Sequence, residues 1–398
     1  MTLAVLALLL FTAFVLRMNV FSFLFLISLF LAFKNGLSYE QIKYLISISV
    51  ERIIGSEELI SIPLYIFLSL ILIRYGIFDS VLKFLGKIKS NFLRLFLILF
   101  SSTLFLPSAV ISNKQIISFL KRNSDMKNDD ILVFSHFFSI FAFVSPISIP
   151  ILVYSFLLKL SLKSVFLYFY LLSFIFFIFG YFLLFKNKVI FFKRGNFKLL
   201  DIIFFTFLFF IFIYMIFVPY SIFEIMLVLI IITICYILIS GKWDMKINLL
   251  IINEVLERSG VIISLLIMLF FINILIVYGG YDYRLSNLFL SIFSDKYVFI
   301  IILLLISYIL IQFLDPLAVI IILYPFYKII INEFSLNKYV FGFAYLSFVT
   351  LGFFSLIENL LIQNYIDKLG IGKSRVNELL LKIMIYTGLF SIITIYFV

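Results

Sequence analysis

Uninterrupted apolar runs constrain this chain more than any other feature. Residues 202–218 (IIFFTFLFFIFIYMIFV) carry no charged side chain. A strand of an outer-membrane barrel would alternate apolar and polar residues over segments of about ten. Continuous runs of this kind therefore predict helices, which satisfy their own backbone hydrogen bonds inside lipid. The composition agrees. Of 398 residues, 65% are hydrophobic and 13% charged, against roughly 45–50% and 25% in a soluble domain. With 55 Phe and 23 Tyr, the apolar surface exceeds what one water-facing core could hide, so the excess must face lipid. The expected fold is an all-α, polytopic protein of the cytoplasmic membrane.

Runs long enough to span, or nearly so, fall at 2–16, 19–32, 58–74, 92–106, 131–145, 163–185, 199–218, 221–240, 260–278, 297–314, 338–353 and 376–398. Several are shorter than the about 20 residues a crossing helix needs, which predicts about ten to twelve membrane segments, some of them half-helices or re-entrant pieces. The run at 3–16 has no basic stretch ahead of it and reads as a retained first helix rather than a cleaved signal. Between the runs, residues 38–53 (SYEQIKYLISISVERI) and 79–90 (DSVLKFLGKIKS) place apolar positions at helical spacing with charges opposite. Both suit helices lying at the membrane surface.

Several function classes are excluded. Cys235 is the one cysteine and lies in an apolar run, so there is no internal disulfide and no metal centre built on several thiolates; it is expected to be a packing residue. His136 alone cannot make a His-rich metal site, and no phosphate-cradling Gly-rich loop is present, so ATP hydrolysis is not expected. The formal net charge of +11 is carried by short loops between apolar runs. There it sets topology and meets anionic lipid, and nucleic-acid binding is not expected. The most basic loop, residues 186–198 (KNKVIFFKRGNFK), has five positive residues and no acidic one. The positive-inside rule makes it cytoplasmic. It separates a first membrane repeat, 1–185, from a second, 199–398.

The two halves resemble each other. Ser108-Ala109-Val110-Ile111 follows LFLP, and Leu317-Ala318-Val319-Ile320 follows FLDP, at an offset of 209 (317 − 108). The same offset lays Lys159 to Ser164 beside Lys368 to Lys373, and LILIRYG (Leu70 to Gly76) resembles NILIVYG (Asn273 to Gly279). Helical membrane proteins with two such halves are most often secondary transporters, whose sites form where interrupted helices of the two repeats meet.

Each half has two polar interruptions. In the first half these are Pro107 to Gln115, with Ser108, Ser112, Asn113 and Lys114, and the double-proline segment Ser145-Pro146-Ile147-Ser148-Ile149-Pro150. In the second they are Gln312 to Pro316, with Asp315, and Thr350 to Asn359, with Gly352, Glu358 and Asn359. Proline frees a carbonyl one turn earlier, and hydroxyl, amide and carboxylate oxygens add ligands of the kind sodium needs. Ser108, Asn113, Asp315 and Gly352 are the candidate sodium-site residues. Asp315 reads equally well as a helix cap, and Lys114 as a snorkelling side chain. Glu358, set among apolar residues, reads as a coupling or substrate group or as an interfacial carboxylate. Arg74 reads as an interface anchor and His136 as a packed neutral histidine, with a proton relay as its alternative.

At these residues the chain resembles the large membrane subunit of TRAP (tripartite ATP-independent periplasmic) transporters, within the ion-transporter superfamily. The matching segments are Ile54 to Ile77, Ser145 to Phe166, Phe313 to Phe326 and Asn337 to Gly352, and they occur in the family's order. SPISIP and FLDP are the most specific. The resemblance implies an elevator-type carrier of two inverted repeats, each with a re-entrant hairpin. It also implies sodium-driven uptake of a carboxylate-bearing solute, an extracytoplasmic substrate-binding protein and a small membrane subunit as partners, and hairpin tips near 108–113 and 350–359. The tips here, FLPSAVISNKQI and FFSLIEN, are bulkier than the family's Gly- and Ser-rich ones, which marks a divergent member.

The expected function is therefore secondary active transport of a small organic anion, a carboxylate, driven by sodium or protons through Glu358, with no cofactor beyond sodium as coupling ion. A stand-alone anion permease of the same superfamily is the alternative. A non-transporting membrane protein is the third reading; as an enzyme it would need convergent nucleophile and base groups, and Ser108 or Ser148 has no identifiable base.

Overall fold

The computed structural model describes residues 20–105, 126–186, 197–218, 220–281, 283–284, 295–312, 314–354 and 373–397. Among them the regular structure is entirely helical. The first half comprises α1 (Val20–Lys34), α2 (Tyr39–Ile54), α3 (Glu57–Arg74), α4 (Ile77–Leu85), α5 (Asn91–Phe105), α6 (Asn128–Phe143), α7 (Ile149–Leu158) and α8 (Leu162–Gly180), which a π-helical turn continues over Tyr181–Phe185. The second half comprises α9 (Leu199–Phe217), α10 (Ile222–Ile239), α11 (Met245–Tyr278), α12 (Lys296–Leu310), α13 (Pro316–Ile322), α14 (Tyr324–Glu333), α15 (Lys338–Val349) with a 3-10 turn at Thr350–Phe354, and α16 (Lys373–Tyr396).

Among the described residues, five helices are long and apolar enough to cross a membrane: α8 with its π-helical turn, α9, α10, α11 and the stretch Val376–Tyr396 of α16. Two bent pairs raise that to seven, α2 with α3 (62°) and α13 with α14 (56°). The remaining apolar runs of the sequence form shorter helices: 19–32 gives α1, 92–106 α5, 131–145 α6, 297–314 α12 and 338–353 α15; the run at 2–16 lies outside the described residues. The faces that meet no other helix are apolar, with Leu167, Leu171 and Phe179 exposed on α8 and Ile203, Phe207 and Phe210 exposed on α9. In water such faces would be untenable; in lipid they are the expected outer surface.

Local chemistry explains the helix starts. Ser38 and Ser221 each form a capping box, with Gln41 at the head of α2 and Glu224 at the head of α10. The two amphipathic stretches of the sequence, 38–53 and 79–90, form helices α2 and α4. Helix α2 buries Leu45, Ser49 and Ile53, exposes Tyr44 and Lys43, and turns through 62° into α3. Helix α4 is fixed through Ser80, whose hydroxyl donates to Asp201 of α9 (2.9 Å). That carboxylate also accepts from Tyr236 of α10 (2.5 Å) and pairs with Lys242. Asp201 is buried at the start of a crossing helix, and its three partners offset the desolvation of its charge.

The helices sort into two packed groups. In one, α11 lies against α1, α2 and α3, α10 against α3, and α9 against α4 and α10. In the other, α15 lies along α16, α6 against α16, α8 against α15, and α13 against α7 and α15. Contacts of α3 with α7 and of α11 with α13 join the groups. This junction is largely apolar, for example Phe156 edge-on to Phe270 (5.7 Å between centroids). A polar tie runs from the Asn273 amide to the Ile321 carbonyl (3.5 Å).

Candidate functional site

The second group contains the broken helices. Helix α12 has 15 residues, a rise of about 22 Å, short of the roughly 30 Å hydrocarbon core. Pro316 restarts the chain as α13 with Asp315 as its N-cap, the carboxylate accepting from the Leu317 N–H (2.8 Å). Pro316 falls in the first turn of α13, where a missing N–H costs nothing. Asp315 is exposed while Leu314, Pro316 and Leu317 around it are buried, so the carboxylate opens onto accessible space within an apolar frame. The cap reading of Asp315 is correct, and the same geometry presents its charge at the break.

A second interruption meets the first. Helix α15 tightens into the 3-10 turn at Thr350, whose buried hydroxyl donates to the Ser347 carbonyl (2.6 Å). Two residues on, a Cβ placed on Gly352 would lie 3.0 Å from Pro316 Cγ and 3.3 Å from Ile311 Cβ. The backbone of the TLG segment thus touches the FLDP break directly, and only glycine permits that approach without displacement. Two sites 36 residues apart in sequence (352 − 316) form one place in the fold.

The double-proline segment forms the corresponding break in the first half. Helix α6 ends at Phe143, Ser145 donates to the Ala142 carbonyl (3.2 Å), and Ser148 caps α7 by accepting from the Ile151 N–H (3.4 Å). Pro150 falls in the first turn of α7, where a missing N–H costs nothing. Ser145 and Ser148 are fully buried and serve the backbone at the break. Helix α6 packs against the 3-10 turn and α7 against α13, so the SPISIP break and the FLDP–TLG meeting belong to one packed unit. Ser108, Ser112, Asn113 and Lys114 of the first half, and Glu358 and Asn359 of the second, lie outside the described residues.

Other singled-out residues are placed as follows. Arg74 donates to Glu254 (2.7 Å), which also pairs with Arg258 (2.6 Å), so the expected anchor ties α3 to α11. His136 is buried within α6 and its Nδ1 donates to the Leu132 carbonyl (3.0 Å), as a packed neutral histidine does. Cys235 is a correction: it sits on the exposed face of α10 rather than in the core, because Thr233 and Ile237 take that helix's inward positions.

The sequence reading missed a buried tyrosine cluster beside the site. Tyr154 of α7, Tyr327 of α14 and Tyr345 of α15 are wholly buried, with Tyr327 5.7 Å from Tyr154 and 5.3 Å from Tyr345 between ring centroids. Tyr154 donates to the Lys338 carbonyl (2.8 Å), and Tyr345 shares a hydrogen bond with Ser307 of α12 (3.2 Å). The Tyr154 ring fills the space where a side chain on Gly342 would stand. With Tyr or Phe in nearly every helix, abundance hid the cluster; the glycine inside KYVFGFAYL was the available signal of a close approach.

Fold and site together define an all-α, multi-pass membrane protein with interrupted helices meeting in its interior. Compared with protein-family models and with curated proteins, the chain matches none. Among the described residues, no three His, Cys, Asp or Glu side chains gather as a metal site. The carboxylate at the break is Asp315, which accepts from the Leu317 N–H.

Proposed function

We propose that this chain is a secondary active transporter that moves a small organic anion, a carboxylate, across the cytoplasmic membrane under a sodium or proton gradient. The observation that carries the reading is the contact of Gly352 with Pro316 and Ile311. It brings two interrupted segments of the second half together beside an exposed carboxylate, as transport sites are built. Helices α7 and α13 both begin at buried breaks, capped by Ser148 and Asp315.

Reciprocal packing supports the two-repeat part of the proposal. Helices α1 and α10, of 15 and 18 residues, occupy corresponding places in the two halves, as do α6 and α15, and α8 and α16. Helix α1 packs on α11 while α10 packs on α3, and α8 packs on α15 while α16 packs on α6. Contacts of i with j matched by j with i are what a two-fold relation produces. Gly36 and Gly241, before α2 and α11, share a left-handed conformation (φ 66° and 64°). The relation is inexact: α15 runs close along α16, whereas α6 and α8 meet through the stacked rings of Phe137 and Phe176. An apolar junction between two helix groups is also what an elevator motion of one past the other requires. The binding protein and small membrane subunit of TRAP systems are the partners this reading calls for.

The test is thermal unfolding of the detergent-purified chain in sodium, potassium and choline chloride at matched ionic strength, followed by carboxylate uptake into proteoliposomes. A ligand that binds only the folded state stabilises it by RT ln(1 + [L]/Kd), about 2.7 kcal/mol at a hundredfold excess. A sodium-specific rise that Asp315→Ala abolishes is the expected result. Uptake that persists after both ion gradients are collapsed would overturn the proposal.

A further inference from the structure

On the outer side of the second half, α12 and α16 leave a groove of about 360 Å³. Ile301, Leu305 and Tyr308 line it along α12, Ile392 and Tyr396 along α16, and Phe348 of α15 forms part of its floor. The two ends differ in chemistry. At one, the Tyr297 and Tyr396 rings stack (6.1 Å between centroids, 16°), and the Lys296 ammonium stands 4.9 Å from the Tyr297 ring centroid. Paired tyrosines with a lysine are what a membrane–water interface selects. At the other end is Tyr308, one turn before the break at Gln312, whose side-chain amide donates to the Tyr308 carbonyl (3.4 Å).

The length of the groove fits a particular occupant. From Tyr297 to Tyr308 the helix rises about 16 Å, close to half of the roughly 30 Å hydrocarbon core. A groove that begins at the interface under a cation, is apolar throughout, and stops at the bilayer midplane matches one leaflet's acyl chain with its phosphate at the top. A protein helix crossing the bilayer would need twice that depth.

We propose that this groove holds an acyl chain of an anionic phospholipid whose phosphate is met by Lys296. The chain would lie against the last turn of α12 before the FLDP break and, through Phe348, against the last turn of α15 before the TLG segment. It would brace both interruptions from the lipid side. The proposal rests on the membrane placement of the helices and stands whether or not the protein is a transporter.

The test compares thermal unfolding of the full chain in neutral detergent with added phosphatidylglycerol or phosphatidylcholine of identical acyl chains, with bound lipids counted by native mass spectrometry. Phosphatidylglycerol should raise the midpoint more than phosphatidylcholine. Lys296→Gln should abolish that difference, while Lys246→Gln, exposed at the start of α11, should leave it intact. Leu305→Trp, which fills the groove, should remove one retained lipid; if that variant fails to fold, Ile301→Phe replaces it. Equal stabilisation by the two lipids, or a preference that survives Lys296→Gln, would overturn the assignment. So would a stable dimer that groove-filling disrupts without changing the lipid count, which would give the groove to a second copy of the chain.

Discussion

At Gly352 a single methyl group decides whether two interrupted segments can touch. The atoms it would meet belong to a proline ring and a β-branched side chain, at 3.0 and 3.3 Å, so both must give by a few tenths of an ångström. Gly352→Ala should therefore lower stability by about 1–3 kcal/mol through overpacking. Gly388, inside α16, has nothing within 4 Å of its missing Cβ. Gly388→Ala should raise stability by about 0.5–1 kcal/mol, because alanine loses less backbone freedom in a helix. Thermal unfolding of the two variants side by side checks that the effect belongs to the contact and not to glycine. Asp201 poses the opposite problem, a charge that needs its partners. Lys242→Met should cost about 3 kcal/mol by stranding a buried carboxylate, and the double variant Asp201→Leu with Lys242→Met should recover most of it. Equal losses in the single and double variants would show that the lost stability is not that of a stranded carboxylate.

At the scale of elements, helix ends carry the design. The spacing of Pro146 and Pro150 predicts an unwound stretch, and the structure places it between Phe143 and Ile149. Ser148 holds both sides, donating to the Phe143 carbonyl (2.5 Å) and accepting from Ile151. Ser148→Ala should cost about 1–2 kcal/mol, the loss of a cap together with a buried bond; hydrogen exchange should show the added opening in the first turn of α7. A uniform rise in exchange across α6 and α7 would instead mean that the break is not locally stabilised. The helices α2 and α4 were equally legible in their amphipathic spacing. The single 34-residue α11 was not: only its second half, 260–278, shows as an apolar run, because the charges of its first half interrupt the hydropathy although the backbone is continuous.

Taken whole, the molecule presents apolar faces outward, and Cys235 on α10 reports on one of them. As the one cysteine of the chain, it should resist a charged, impermeant thiol reagent from either side of intact membranes and react once the protein is unfolded in denaturant, because the attacking thiolate does not form in hydrocarbon. Reaction with the charged reagent would place that face of α10 in water and contradict the arrangement of the outer surface.

Sequence by itself determined the solvent of this protein, the extent of its long apolar helices other than α11, and the positions of the SPISIP and FLDP breaks. Each of these rests on local chemistry: hydropathy over one helix length, capping side chains, and proline's missing N–H. Tertiary structure alone decided which breaks meet. The approach of Gly352 to Pro316, the wedge of Tyr154 against Gly342, the gathering of Ser80, Tyr236 and Lys242 on Asp201, and the outward turn of Cys235 all depend on side chains far apart in the chain. In a sequence where almost every position is apolar, hydrophobicity no longer tells a core face from a lipid face, and only packing does.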